Sequence, residues 1–225
     1  KQGVGRINLA REMSLAEIGE IRRRVGCELE VFVHGALCIS YSGRCLLSHY
    51  LTGRSANRGD CAHPCRYRYS VQEELRPGHS FPVEEDERGT YIFNSRDLCL
   101  INRLPELAAA GVDSVKIEGR MKSPYYVGAV VRAYRAALDH LAAQRSYGEE
   151  VAMPGAFAEE IGRIGSRGYT ENFLDRPPET RDMLHGAPRI EPSHEPVAIV
   201  RGGGPLPILE VRNPLSVGEE VEYLG

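Results

Sequence analysis

Six cysteines are the residues of this 225-residue chain whose type and spacing could carry chemistry. Five of them lie in one stretch, with 6, 15, 3 and 33 residues between them: Cys38, Cys45, Cys61, Cys65 and Cys99. A chain of this size can bury a core without disulfides, so gathered thiols indicate metal binding or redox chemistry. Three interpretations stay open: an iron–sulfur cluster, a structural zinc site, and thiols without a ligand. The spacing favours the cluster, because only Cys61 and Cys65 form the tight pair typical of zinc sites.

Arginine and tyrosine side chains are interleaved with these cysteines between residues 41 and 70. Five arginines against one acid, Asp60, give this stretch a net charge of +4. Arginine neutralises phosphate and tyrosine stacks on unpaired bases, as binding of single-stranded RNA requires. The other interpretation is a solvated loop that pairs with the acidic segment at residues 72–88. The candidate RNA-binding residues are Arg54, Arg58, Arg66, Arg68 and Tyr67.

Composition and motifs exclude several classes of protein. Hydrophobic residues make up 42% and charged residues 26% of the chain, with a formal net charge of −3, as in an ordinary globular protein. The sequence has no uninterrupted apolar run of membrane-spanning length, and residues 1–11 lack the apolar block of a signal peptide. We therefore expect a cytoplasmic protein without a membrane segment. A hydrolase of common mechanism has no support, because the sequence contains no G-x-S-x-G, H-E-x-x-H or phosphate-loop motif.

The elements that must position the cysteines begin with a strand–helix–strand unit. Residues 6–10 are predicted to form a strand. The following helix begins with a capping box, Ser14 and Glu17, and ends at Gly26. Residues 29–33 are predicted to form the next strand, and this order indicates an α/β unit with parallel strands.

The middle of the chain is predicted to contain shorter elements and one long helix. In chain order we expect a solvated loop or hairpin at 72–88, a strand at 91–93, a helix capped by Ser95 that holds Asp97 and Cys99, a helix from Pro105 to Gly111, and a strand at 112–118. Ser123-Pro124 then begins the long helix. Its predicted apolar face consists of Val127, Val130, Val131, Tyr134, Leu138 and Leu141.

The end of the chain has a different character. A weaker helical stretch at 156–164 precedes a proline-rich linker at 176–196. Strand-like alternation then predicts a small β-module with strands at 197–200, 207–211 and 219–223. We expect three parts, with bounds at residues 1–175, 176–196 and 197–225.

Six segments of the sequence resemble peptidase family U-32, the so-called collagenase-like proteases. They are EVFVHGALCISYSGRCLLS at 30–48, NRGDCAHPCR at 57–66, FNSRDLC at 93–99, VKIEGRMKSPYY at 115–126, SRGY at 166–169 and NPLSVGEE at 213–220. The resemblance implies an α/β fold, in which a TIM-like (β/α) barrel portion, the second half of the barrel, is followed by a small C-terminal β-barrel module. Barrel strands precede residue 6 in such proteins. We therefore expect a missing N-terminal half-barrel or a partner protein, and predict that residues 1–225 do not fold alone.

The resemblance also implies a function. The family includes proteins for 5-hydroxylation of the wobble uridine of tRNA, and the sequence is most similar to that subgroup. It implies an RNA-modifying enzyme that uses a [4Fe-4S] cluster and has tRNA as its partner. Two alternatives stay open: a collagenase-like peptidase of family U-32, and a zinc-stabilised RNA-binding module.

Site residues follow from the same resemblance. Cys38, Cys45 and Cys61 are implied as cluster ligands, and the fourth is either Cys65 or Cys99, with Cys99 preferred. The implied catalytic residues are His34, Glu118 and Arg120, which follow or end predicted strands, where barrels of this kind place their chemistry. The alternatives are an ion pair between Glu118 and Arg120 that closes a turn, and packing alone for His34.

Overall fold

The computed structural model describes residues 3–38, 40–66, 70–72, 80–82, 96–145, 151–176, 192–202 and 206–224. The elements follow in the order β1 (Arg6–Asn8), α1 (Leu15–Arg24), β2 (Glu28–Ala36), α2 (Leu47–Thr52), β3 (Ser70–Gln72), β4 (Ser80–Pro82), β5 (Asp97–Cys99), α3 (Leu104–Ala109), β6 (Ser114–Ile117), α4 (Pro124–Arg145), α5 (Gly155–Gly162), β7 (Tyr169–Thr170), β8 (Ala198–Gly202) and β9 (Ile208–Val211). Short 3₁₀ helices lie at Ala56–Arg58, Pro64–Arg66 and Ile101–Arg103.

The main sheet is built around β2. β1 and β6 both pair with β2 in parallel, which confirms the α/β unit with parallel strands that the sequence predicted. β5 pairs with the end of β2 in the antiparallel direction and then pairs with β7 in parallel. The fold is therefore a mixed α/β structure. Its described strands form an open sheet and not a closed barrel.

Helices cover this sheet and form the core with it. α1 begins with the predicted capping box: the N–H of Glu17 donates to the Ser14 hydroxyl, and the N–H of Ser14 donates to the Glu17 carboxylate. The helix buries Ile18. α4 begins at Pro124, as predicted. Its buried residues are Tyr126, Ala129, Val130, Ala133, Tyr134, Ala137 and Leu141.

Two sequence predictions about these elements are wrong. Val127 and Val131 are exposed, because the buried face of α4 instead includes the alanines at positions 129, 133 and 137. Asp97 and Cys99 lie in a strand and not in a helix, because pairing with β2 and β7 overrides local preference in so short a segment.

The remaining predictions concern the segment at 72–88, the C-terminal β-module and the linker before it. β4 lies within the loop or hairpin predicted at 72–88 and pairs in the antiparallel direction with β3, which ends where that segment begins. β8 pairs with β9 in the predicted β-module. Residues 219–223 form no strand. The strand predicted at 91–93 and most of the linker lie outside the described residues, so the three-part division stays a prediction. In the described part of the chain, no helix is long and apolar enough to span a bilayer.

Candidate functional site

A thiol-lined cavity lies at the carboxyl ends of β1, β2 and β6. These parallel strands end at one edge of the sheet. The cavity has a volume of about 610 Å³, and four of the six cysteines line it: Cys38, Cys45, Cys61 and Cys65. We call it the thiol cavity. Open α/β sheets bind ligands at this edge, because chain segments that leave several strands converge there.

Short loops bring the four cysteines to this cavity. Cys38 follows β2, Cys45 precedes α2, and Cys61 and Cys65 lie between α2 and the hairpin. Ser48 in α2 is fully buried, and its hydroxyl accepts a 3.0 Å hydrogen bond from the N–H of Ala62. α2 thereby fixes the loop that carries the last two cysteines.

The loop between Cys61 and Cys65 turns sharply at His63. The φ angle of His63 is 55°, in the left-handed region. Its N–H lies 3.3 Å from Sγ of Cys61 and donates a hydrogen bond to it. This hydrogen bond fixes the position of the Cys61 sulfur relative to the turn at His63.

Glu118 is the one carboxylate among the described residues that line the thiol cavity. Its Oε1 accepts a 3.0 Å hydrogen bond from the N–H of Arg120, and its Oε2 accepts one of 3.4 Å from the N–H of Ala36. Nε2 of His63 lies 3.8 Å from Oε1. Two backbone donors therefore fix this carboxylate at the cavity wall.

Arg120 also lines the thiol cavity, with its side chain 46% exposed. Its Nη1 lies 3.7 Å from Oδ1 of Asp60. The turn after β6 is therefore closed by the hydrogen bond that the N–H of Arg120 donates to the Glu118 carboxylate. The guanidinium group of Arg120 lies near Asp60 instead.

Cys99 lies apart from the thiol cavity. It pairs with His34 in the sheet, and its Sγ lies 3.9 Å from Oη of Tyr134. Burial raises the pKa of its thiol. The structure therefore brings Cys65 together with Cys38, Cys45 and Cys61, and places Cys99 elsewhere.

His34 is buried in the interior, 1% exposed, and does not line the thiol cavity. Its ring centroid lies 5.9 Å from Tyr126, 5.5 Å from Tyr134 and 5.5 Å from Tyr169. Its Nδ1 lies 3.5 Å from Oη of Tyr134. Burial lowers the pKa of His34 to about 4, so the imidazole is neutral at pH 7. The surroundings of His34 are those of a packed side chain.

The donor set of the thiol cavity consists of four thiols, the ligand type that holds iron–sulfur clusters. Within the described residues, no three His, Cys, Asp or Glu side chains are placed to hold a metal ion. Burial of the thiol group raises the pKa of Cys38.

The predicted RNA-binding arginines lie beside the thiol cavity, as far as the structure describes them. Arg54 forms a two-pronged ion pair with Oδ1 of Asp60, at 3.0 and 2.8 Å. Arg58 is exposed at the end of a 3₁₀ helix. Arg66 ends the next 3₁₀ helix, and its side chain lies outside the described residues, as do Tyr67 and Arg68.

Sequence reasoning missed three residues that shape this region. His63 stands between two cysteines, which is a readable signal. Ser48 gave none, because its partner is a distant backbone N–H. Asp97 is fully buried, with Nζ of Lys122 3.3 Å from its Oδ2. The sequence signal for Asp97 is an acid next to apolar residues, but a helix was predicted there, so the burial of this side chain was not expected.

These features define an α/β protein whose parallel strand ends hold four cysteines beside one carboxylate. The family model described as Peptidase family U32 matches residues 1–184, and the chain belongs to this family. No solved structure matches it significantly.

Three relatives illustrate what the chain is similar to. The tRNA hydroxylation protein P1 of Bacillus subtilis (strain 168) is 34% identical over 228 residues, which are 100% of this chain and 53% of the relative. The tRNA hydroxylation protein P of Escherichia coli (strain K12) is 36% identical over 269 residues, 100% of this chain and 58% of the relative. A collagenase of Porphyromonas gingivalis (strain ATCC BAA-308 / W83) is 32% identical over 176 residues, 73% of this chain and 41% of the relative. The chain spans little more than half the length of the two hydroxylation proteins.

Proposed function

We propose that this chain belongs to an enzyme that hydroxylates the wobble uridine of tRNA and holds a [4Fe-4S] cluster. The observation that carries the proposal is the convergence of Cys38, Cys45, Cys61 and Cys65 on one cavity. The names of the two hydroxylation relatives support the RNA substrate. A tRNA substrate would place the enzyme in the cytoplasm.

The four thiols of the thiol cavity would be the cluster ligands. Cys65 takes the fourth position in this proposal in place of Cys99, because Cys65 lines the thiol cavity and Cys99 does not. An iron–sulfur cluster supplies one-electron chemistry when bound. The N–H of His63 would keep its hydrogen bond to the Cys61 sulfur and so hold that ligand in position.

Other residues of the cavity would hold the substrate and move a proton. Glu118, held by two backbone donors, is the carboxylate that can take a proton at Oε1 or Oε2. Arg120 at the exposed rim can neutralise a phosphate of the RNA. The proposal leaves His34 as a packing residue, because its Nε2 is buried in the protein interior.

The same proposal extends to the fold of the whole protein. Parallel pairing of β1, β2 and β6 supports a TIM-like barrel to which this chain contributes one part. The β8–β9 pair supports a small β-barrel module after it. A further segment or a partner protein would supply the remaining barrel strands.

The peptidase alternative has the collagenase relative in its favour. A peptidase requires an activated nucleophile or a metal-bound water. The thiol cavity offers thiols, but the imidazole nearest to them, His63, faces Glu118. The zinc alternative has less support, because only Cys61 and Cys65 form the tight pair that is typical of zinc sites.

Metal analysis and nucleoside analysis test the proposal together. Protein purified without air should contain iron and acid-labile sulfide in about equal amounts. Stoichiometric zinc without sulfide would overturn the cluster. Nucleosides from the tRNA of a deletion strain should lack 5-hydroxyuridine derivatives, as measured by mass spectrometry. Their persistence, with loss of a ribosomal RNA hydroxylation instead, would overturn the tRNA substrate.

A further inference from the structure

An exposed tyrosine stands at the mouth of the thiol cavity. Tyr41 lines this cavity, and its residue surface is 70% exposed. Single exposed aromatic residues are common on protein surfaces, so exposure alone indicates no function. The position of Tyr41 is the informative feature, because its ring meets both the solvent and the cavity that holds the four thiols.

A fixed β-turn presents the ring of Tyr41. The N–H of Arg44 donates a 3.0 Å hydrogen bond to the carbonyl oxygen of Tyr41, and Gly43 between them has a φ angle of 76°, which favours glycine. The N–H of Ser42 donates a 2.7 Å hydrogen bond to Oε1 of Glu12, which lies between β1 and α1. A ligand at Tyr41 would therefore meet a surface that is already ordered, which lowers the entropic cost of binding.

Two arginines stand at the same mouth as Tyr41. Arg44 and Arg58 are each preceded and followed in the chain by residues that line the thiol cavity. Both arginines are exposed, and no carboxylate among the described residues pairs with either of them. Asp60, the acid of this stretch, pairs with Arg54 instead. The two guanidinium groups are therefore available to an anionic ligand.

An exposed ring beside two available cations suits a single-stranded nucleic acid. Unpaired bases stack on aromatic side chains, and the phosphates of the strand are neutralised by arginine. A duplex offers phosphates to the arginines, but its bases are already stacked on one another and leave no free face for the ring. The combination at this mouth therefore favours a strand with unpaired bases.

We propose that Tyr41 stacks on an unpaired base of the RNA substrate at the mouth of the thiol cavity, and that Arg44 and Arg58 neutralise phosphates of the same strand. This inference rests on the proposed function and assigns where the single strand meets the site. A base held on Tyr41 lies beside the cavity whose wall carries Glu118. Binding needs no base pair to be opened, because an anticodon loop is already single-stranded.

Fluorescence tests the stacking directly, because the chain contains no tryptophan. Tyr41→Trp in the full chain, purified without air, introduces a single reporter at the mouth of the thiol cavity. An anticodon stem-loop RNA should quench its fluorescence, because a base stacks on the indole ring, and a fully paired RNA of the same length should not. Tyr223→Trp is the matched control, at a tyrosine of similar exposure (72%), and neither RNA should quench it.

Binding measurements separate the ring from the charges. Tyr41→Leu should weaken binding of the stem-loop by about five- to a hundredfold, the range for one base stacked on an aromatic ring. Tyr41→Phe keeps the ring and should keep the wild-type affinity. Arg44→Ala should lower the slope of log affinity against log salt concentration by about 0.7, whereas Tyr41→Leu should leave that slope unchanged, because a ring releases no counterions.

The outcomes separate this inference from the proposed function. Unchanged affinity in Tyr41→Leu, or unchanged fluorescence of Tyr41→Trp on binding of the stem-loop, would overturn the stacking and leave the proposed function standing. An equal loss in Tyr41→Leu and Tyr41→Phe would also overturn it, because the hydroxyl and not the ring would then make the contact. Quenching by the stem-loop while 5-hydroxyuridine persists in the deletion strain would support the contact and overturn the tRNA reaction alone. Failure of the wild-type protein to bind the stem-loop would overturn both.

Discussion

A β-carbon on Gly35 would lie 2.2 Å from the carbonyl oxygen of Glu118. The end of β2 therefore approaches the end of β6 more closely than any other residue type allows. The φ angle of Gly35 is 110°, a value that residues with a side chain rarely adopt. This close approach places the Glu118 carboxylate within hydrogen-bond distance of the N–H of Ala36.

Gly35→Ala should destabilise the protein by about 3 kcal/mol or more, because backbone strain adds to a backbone clash. The matched control is Gly53→Ala, where φ is also positive but a β-carbon would meet nothing within 4 Å. The control should lose only about 1–2 kcal/mol. Urea unfolding measures both. Equal losses in the two variants would contradict the close approach.

Cys65→Ser should remove most of the iron from the protein, because it deletes one of four thiols on the thiol cavity. Cys99→Ser is the matched control and should keep its iron, because Cys99 contacts Tyr134 instead. Iron and acid-labile sulfide per chain are measured after purification without air. Loss of iron in Cys99→Ser alone would restore the ligand assignment that the sequence preferred.

Ser48→Ala should loosen the loop that carries Cys61 and Cys65. The substitution leaves the N–H of Ala62 without its acceptor in a buried place, at a cost of about 1–3 kcal/mol. Ser55→Ala is the matched control, since its side chain makes no capping hydrogen bond. Thermal unfolding and iron content should both fall in the first variant only. Unchanged iron content in Ser48→Ala would show that the loop holds without this bond.

Local signals in the sequence predicted the elements that have strong local causes. The capping box at Ser14 and Glu17 and the proline at the start of α4 act within one helical turn, so they could be read directly. Asp97 could not be placed in this way. Its strand has three residues, and pairing across the sheet decides its structure.

The candidate site was predictable as a set of residue types but not as a geometry. Cysteine spacing indicated a cluster, and three of the preferred ligands do line the thiol cavity. The choice between Cys65 and Cys99 depends on which of the two side chains reaches the thiol cavity, and cysteine spacing does not contain this information.

His34 should make the stability of the fold depend on pH. Burial is the main cause that lowers the pKa of its imidazole to about 4; the charge of Asp97 opposes this shift, and the charge of Lys122 adds a smaller lowering. An unfolded histidine has a pKa of about 6.5, so between about pH 6.5 and pH 4 the unfolded chain binds a proton that the folded chain does not. The free energy of unfolding therefore falls as the pH is lowered through this window, by ~3 kcal/mol at most. Below the window the contribution of His34 no longer changes with pH.

His34→Gln should remove this part of the pH dependence. Urea unfolding at about pH 7 and about pH 4.5 gives the difference for each protein. The variant should lose less stability than the wild type on acidification. An equal loss in both would mean that carboxylates, and not His34, set the acid sensitivity.

Arg58 and Arg54 should contribute unequally to RNA binding. Arg54 is already paired with Asp60, so a phosphate would have to compete with a carboxylate for it. Arg58 is exposed, and no carboxylate among the described residues pairs with it. Each phosphate that an arginine neutralises releases condensed counterions, which steepens the fall of affinity with salt.

Arg58→Ala should therefore lower the slope of log affinity against log salt concentration for tRNA binding by about 0.7, the value for one contact on a single strand. Arg54→Ala should lower it by less. Affinity measured over a series of salt concentrations gives both slopes, and iron content should stay normal because arginine is not a ligand. A larger effect of Arg54→Ala would mean that a phosphate of the RNA displaces Asp60 from its ion pair with Arg54. The RNA backbone would then pass over Asp60 and not beside it.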